Sequence, residues 1–232
     1  MSKIAAAPRQ SRAPSSPDMV VGAINDGIMR QRYSIGQRLV ESDLTRDLKV
    51  SRGTVREALK KLSAEGVVQL SPHRGAFIRA LSRSDAEALL LVLEVLCCLA
   101  ARLAATSIAK NNHRKRFNTA MQSILAYQHS VEFSGFMEGR ARFYQTMISI
   151  GGNAELERIM PLTHIHLFRT QFHGLWSKKH LREVFREYQE IANAILDGNA
   201  KLAESRMGKH IRNTGERMAT LPDSAFAPED AF

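Results

Sequence analysis

The sequence predicts a mainly α-helical chain in two units: three helices and a small β-hairpin over residues 18–80, then an antiparallel helical bundle over 84–220. Three observations predict it. Apolar residues recur at three- and four-residue spacing through most of the chain, the period of a helix with one buried face. Residues 67–78 break that rhythm with two short β-rich runs around Ser71-Pro72-His73-Arg74-Gly75. Beyond residue 84, breaks fall near Asn111-Asn112, Gly135, Gly151-Gly152-Asn153, Gly174 and Asp197-Gly198-Asn199, which divides the remainder into bundle helices with short connections.

Residues 1–17 are rich in Ala, Pro, Ser and Arg without periodicity, which reads as a disordered basic tail. Val20, Ile24 and Ile28 then mark a first helix that ends before the turn Tyr33-Ser34-Ile35-Gly36. Ser42 is the expected cap of a second short helix burying Leu44 and Leu48. After Lys49-Val50, Ser51 stands where a third helix needs its cap, and Val55, Leu59 and Leu62 give that helix an apolar face. Gly66 is placed to end it. Strands over Val67–Leu70 and Ala76–Ile78 complete the outline of a winged helix-turn-helix. Arg79–Arg83 is the linker to the bundle, and residues 221–232 read as a loose tail.

The chain has 232 residues, 44% hydrophobic and 24% charged, with a formal net charge of +10. Residues 1–80 hold 14 Lys and Arg against 7 Asp and Glu; residues 81–232 hold 19 against 16. A basic excess concentrated in the first third points to a polyanionic partner, nucleic acid or an acidic membrane surface. The only cysteines, Cys97 and Cys98, are neighbours in an apolar stretch, so no disulfide framework exists and a reducing cytoplasm fits. No apolar signal-peptide core opens the sequence. The apolar run Ala88–Ala101 is interrupted by Glu94 and falls short of the ~20 residues of a membrane span. Nucleophile elbows, phosphate loops and paired-carboxylate patterns are missing too, so the sequence gives no sign of an enzyme.

The third helix carries the chemistry. A helix that reads DNA inserts its first turns into a major groove roughly 12 Å wide, which demands a capped start and early donors. Ser51, Arg52, Gly53, Thr54 and Arg56 meet that demand, and Arg is suited to grip guanine O6 and N7 with two bonds. The wing tip His73-Arg74-Gly75 is placed to reach the adjacent minor groove or backbone. The plainer reading of Arg52, Arg56 and Lys60 is a solvated face of i, i+4 charges.

The order Gly36-x-x-Leu39-x-Glu41-x-x-Leu44, Val50-Ser51-Arg52-Gly53-Thr54-Val55-Arg56-Glu57-Ala58-Leu59, Leu62, Glu65-Gly66 and Gly75 resembles the GntR family of bacterial transcription regulators over residues 20–80. That family often has Thr-Pro where this chain has Gly53-Thr54, which leaves Gly53 only a backbone contact to offer. More loosely, residues 84–215 resemble the all-α effector domain of the FadR branch, on Phe143-Tyr144, Gly152-Asn153, Glu187-Tyr188, Ala194-Ile195 and His210-Ile211. The resemblance implies a homodimer on a palindromic double-stranded operator, governed by a small ligand or a metal in the bundle.

Many members of that branch hold a divalent metal with one Asp and three His. Here those positions fall on Arg140, Tyr144 and Tyr188, and only His210 is kept. A guanidinium cannot shed its proton and repels a cation, so no metal is expected. Arg140 and Tyr144 lie one turn apart, and with Tyr188 and His210 they suit the carboxylate or phosphate of a small anionic metabolite. His166 and Arg169 are candidate liners from another helix. Three alternatives stay open: Arg140 simply pairs with an acidic neighbour, the regulator responds to metal through His210 and other histidines, or the chain is a helical enzyme or binding protein with a basic N-terminus.

Overall fold

The computed structural model describes residues 16–128, 133–160 and 162–229, without the side chains of Phe133, His166 and His173. Residues 1–15 of the expected tail lie outside the described residues; Ser16 and Pro17, expected in that tail, open the first helix, α1 (Ser16–Met29). A two-residue strand, β1 (Arg38–Leu39), precedes α2 (Glu41–Leu48) and α3 (Arg52–Ala64). The hairpin β2 (Val68–Ser71) and β3 (Gly75–Ile78) follows. The three strands form an antiparallel sheet in the order β1-β3-β2, with Arg38 opposite Phe77 and Val68 opposite Ile78.

Ser42 does not cap α2. The helix starts two residues earlier, with Val40 at the cap and no side-chain bond, and Glu41 and Asp43 offset the free amides of the first turn by their charge. Lys49 closes α2 in the left-handed region (φ 54°), which makes the turn to α3 tight. Ser51 does cap α3: its hydroxyl accepts from the Thr54 amide at 3.1 Å. Gly66 ends α3 at φ +71°, with its amide bonded to the Ser63 carbonyl and the Val67 amide bonded to that of Leu62. Val20, Ile24, Ile28, Leu44, Val55, Leu59, Leu62, Val68 and Ile78 close the N-terminal core.

The bundle comprises α4 (Arg83–Ser107), α5 (His113–Leu125), α6 (Phe133–Gly151), α7 (Ala154–Ile159), α8 (Leu162–Phe172), α9 (Lys178–Leu196) and α10 (Ala200–Ala219). At its centre α4 packs on α10, α6 and α9 and buries Cys97, Ala100, Ala101 and Ala104 completely. By length and composition α4 is apolar enough to cross a membrane, which the interrupted run did not suggest, yet its small residues are the seam of this core. Gly135 is not a break. It lies inside α6, where a Cβ would come within 2.1 Å of the Tyr127 ring, so the glycine serves close packing rather than a turn.

Two features join the halves. From α8, Leu167 is buried in the N-terminal core while Ile165 and Phe168 belong to the bundle core. On the same helix the Gln171 side chain holds the linker, accepting from the Leu81 amide at 2.8 Å and donating to its carbonyl at 2.9 Å. Contrary to the expected loose tail, residues 221–229 fold back onto the linker. The Ala227 amide donates to the Leu81 carbonyl (3.0 Å), the Arg83 guanidinium stacks on Phe226 (4.2 Å), and Glu229 accepts from the Ser84 amide (3.1 Å). Residues 230–232 lie outside the described residues.

Candidate functional site

The N-terminal face of α3 is exposed, and its chemistry follows from its first turn. Arg52 sits where the helix dipole is positive, an unfavourable place for a cation, and no carboxylate pairs with it among the described residues. Arg56 lies on the same side and shares only its Nε with Glu41, at 2.8 Å. The hydroxyls of Ser51 and Thr54 lie 2.9 Å apart, engaged in the cap, so their free capacity is partial. A Cβ on Gly53 would meet only the Ser51 hydroxyl, at 3.7 Å, so the helix start presents an open backbone. At the wing tip His73 (φ +63°), Arg74 and Gly75 are exposed, with Arg74 set over Phe77 at 5.7 Å.

Sequence reasoning missed Arg38. It reaches the wing because β1 pairs with β3, and its Nε would lie 3.3 Å from a Cβ on Gly75. A two-residue strand leaves no pattern from which that placement could be read. Arg38 therefore adds an exposed guanidinium beside Arg74 and His73.

The second site is a cavity of about 20 Å³ between α4, α6, α8, α9 and α10. The structure brings together Arg140, Tyr144, Tyr188, His210 and Arg169 around it; the His166 side chain lies outside the described residues. Arg140 donates from Nε to the Tyr188 hydroxyl at 2.6 Å and lies over the Tyr144 ring at 5.0 Å. Arg169 lies 5.2 Å from the Trp176 ring and 5.6 Å from Phe136. Both arginines are buried, 7% and 4% exposed, and neither pairs with a carboxylate among the described residues. Burial and the charge of Arg140 lower the pKa of Arg169 to about 10, which still leaves it charged at neutrality. Among the described residues, Arg140 Nη1, Arg169 Nε and Nη2, and the Tyr144 hydroxyl have no hydrogen-bond partner.

Behind the cavity, Glu187 holds a network that sequence reasoning did not assign. Arg217 grips it through both Nη atoms (3.0 and 2.8 Å), Asn213 donates at 2.6 Å, and His210 Nδ1 lies 2.7 Å from Oε2. Burial pushes the Glu187 pKa up, but the bonds from His210, Arg217 and Asn213 outweigh it and hold the group down to about 2. The ionised carboxylate accepts from Nδ1–H, which fixes the His210 tautomer. Burial depresses the His210 pKa further than the bond and charge of Glu187 raise it, with the charges of Arg140 and Arg217 adding to the fall, which favours the neutral imidazole. Residues 210, 213 and 217 share one face of α10, a spacing signal that could have revealed the network.

A divalent cation does not fit this donor set. Two guanidiniums border the cavity, and the one family histidine has its Nδ1 committed to Glu187. Among the described residues no three His, Cys, Asp or Glu side chains stand at ligating distance. Cys97, which also lines the cavity, has its thiol pushed up by burial to about 12, the protonated and inert form.

A capped reading helix with a wing, followed by a helical domain with an internal cavity, defines a DNA-binding protein with a separate ligand-binding unit. Residues 17–78 match the bacterial regulatory proteins of the gntR family, and residues 88–213 match the FCD domain. The chain belongs to the gntR family, with an FCD second domain, and is a transcription regulator rather than an enzyme. It is 26% identical over 189 residues to the HTH-type transcriptional regulator LutR of Bacillus subtilis, covering 73% of this chain and 85% of that one. It is 25% identical over 206 residues to a probable D-xylose utilization operon repressor of Paenarthrobacter nicotinovorans, covering 88% and 87%. A GntR regulator from Rhodococcus sp. RHA1 shares the fold, with a TM-score of 0.75 at 21% identity over 90% of this chain and all of that one.

Proposed function

We propose that this regulator binds a palindromic operator as a homodimer in the cytoplasm and that a small anionic metabolite in the FCD cavity sets its operator affinity, most simply as a repressor released by ligand. The observation that carries the reading is the pair of buried guanidiniums, Arg140 and Arg169, lining one cavity with no carboxylate among the described residues beside them. A buried charge left without partner is costly, and a bound anion removes that cost. Arg140 then takes the place that a metal holds in relatives, with Tyr144, Tyr188 and neutral His210 completing the lining. Arg52, Arg56 and the open start of α3 read bases, while Thr54, His73, Arg74, Gly75 and Arg38 contact backbone or minor groove.

The route from cavity to DNA runs along α8. Arg169 lines the cavity and Leu167, two residues before it, is packed in the winged core. A ligand that draws Arg169 inward turns the helix that both cores share, and with it the angle between two recognition helices spaced about 34 Å apart on the operator. Coupling of this kind is typically worth about 1–3 kcal/mol, a 5- to 150-fold change in operator affinity.

The test begins with an operator selected from random duplexes by the full-length protein. Small carboxylic and phosphorylated acids are then screened for thermal stabilisation and for effect on operator binding. Arg140→Ala is expected to weaken calorimetric binding of the active acid by about 10- to 150-fold, the loss of one charge-assisted contact. Unchanged affinity would overturn the site.

A further inference from the structure

We infer that the effector is a compact dianion, with two negative charges shared between Arg140 and Arg169. The inference rests on the anion-sensing reading and narrows it. Among the described residues, the buried ionic groups around the cavity do not balance. Glu187 and Arg217 neutralise each other through their two-bond pair, and His210 is neutral, which leaves Arg140 and Arg169 as a surplus of two positive charges. A monoanion would compensate one guanidinium and leave the other buried and unmatched beside it; a dianion compensates both.

Donor geometry points the same way. Among the described residues, the unpartnered atoms of Arg169 are Nε and Nη2, the side-on edge that grips a carboxylate or phosphate with two parallel bonds. Arg140 uses Nε for Tyr188 and keeps Nη1 free, and the Tyr144 hydroxyl supplies a fourth unused donor. These four donors therefore belong to three side chains that line one cavity. Its volume of about 20 Å³ is close to the room one or two waters need, so the charges must sit on few atoms. An inorganic phosphate-type ion and a short dicarboxylate share that chemistry.

The full-length protein, kept in chloride buffer on the alkaline side of neutrality, is titrated calorimetrically with inorganic phosphate, malonate and acetate. At least one dianion is expected to bind about tenfold or more tightly than acetate. The tighter of phosphate and malonate identifies the source. In Arg169→Met that advantage is expected to collapse, while the ligand-free variant melts higher than the parent because an unmatched buried charge is gone. Should Arg169→Met fail to fold, Arg169→Lys keeps the charge without the fork and is expected to weaken both dianions. Acetate binding as tightly as both dianions, or affinities untouched by either substitution, overturns the dianion and leaves acid sensing standing. Binding of none of the three overturns both.

Discussion

Replacing Arg52 and Arg56 together by alanine is expected to weaken operator binding by at least about 30-fold and to erase the preference for operator over scrambled duplex. The magnitude follows from two base-reading contacts at about 1–3 kcal/mol each. The fold should not suffer. Both side chains are exposed, Arg52 sits at the wrong end of the helix dipole, and the surface pair of Arg56 with Glu41 contributes at most about 1 kcal/mol. Ser51, which caps α3, and Val55, Leu59 and Leu62, which anchor it, are untouched. Fluorescence anisotropy against both duplexes, with circular dichroism as the folding control, reads the outcome. Unaltered affinity with unaltered preference would remove α3 as the reading element.

Glu187→Ala should produce the largest loss of stability, about 3–5 kcal/mol, as it strips the counter-charge from buried Arg217. For a chain of this size that corresponds to a fall of about 6–20 °C in melting temperature. Glu187 also sets an acid limit. Its folded pKa, about 2, lies below its unfolded value of 4.5, so its contribution is complete above 4.5 and drains away as pH falls from there toward 2. Glu187→Gln keeps the shape and should lack that component of the acid transition. Melting curves across this pH range check both. A wild-type curve parallel to that of the glutamine variant would show that the network contributes nothing through charge.

What the sequence made legible was local or periodic. The cap at Ser51, the apolar spacing of Val55, Leu59 and Leu62, and the stop at Gly66 each depend on residues within one or two turns, and all three hold in the structure. Ser42 failed because a helix start can be supported by charge alone, so an available hydroxyl one residue inside was no guide. Gly135 failed because a glycine that admits a neighbouring ring looks, in sequence, like one that turns the chain. The fold-back of residues 221–229 onto the linker and the grip of Arg217 on Glu187 link positions far apart in sequence, which no period records. The convergence of Arg140, Tyr144, Tyr188 and His210 was legible only through family resemblance. That neither arginine has a carboxylate partner among the described residues emerged only from the three-dimensional packing.

The helix α8 also bears on how the chain comes apart. Its Leu167 completes one core and its Ile165 and Phe168 the other, while Gln171 and the 221–229 segment tie down the few residues between them. Neither half can melt without stripping side chains from its neighbour. The two cores are therefore expected to lose their structure as one cooperative unit, with a calorimetric enthalpy equal to the van't Hoff value and no step belonging to the winged unit alone.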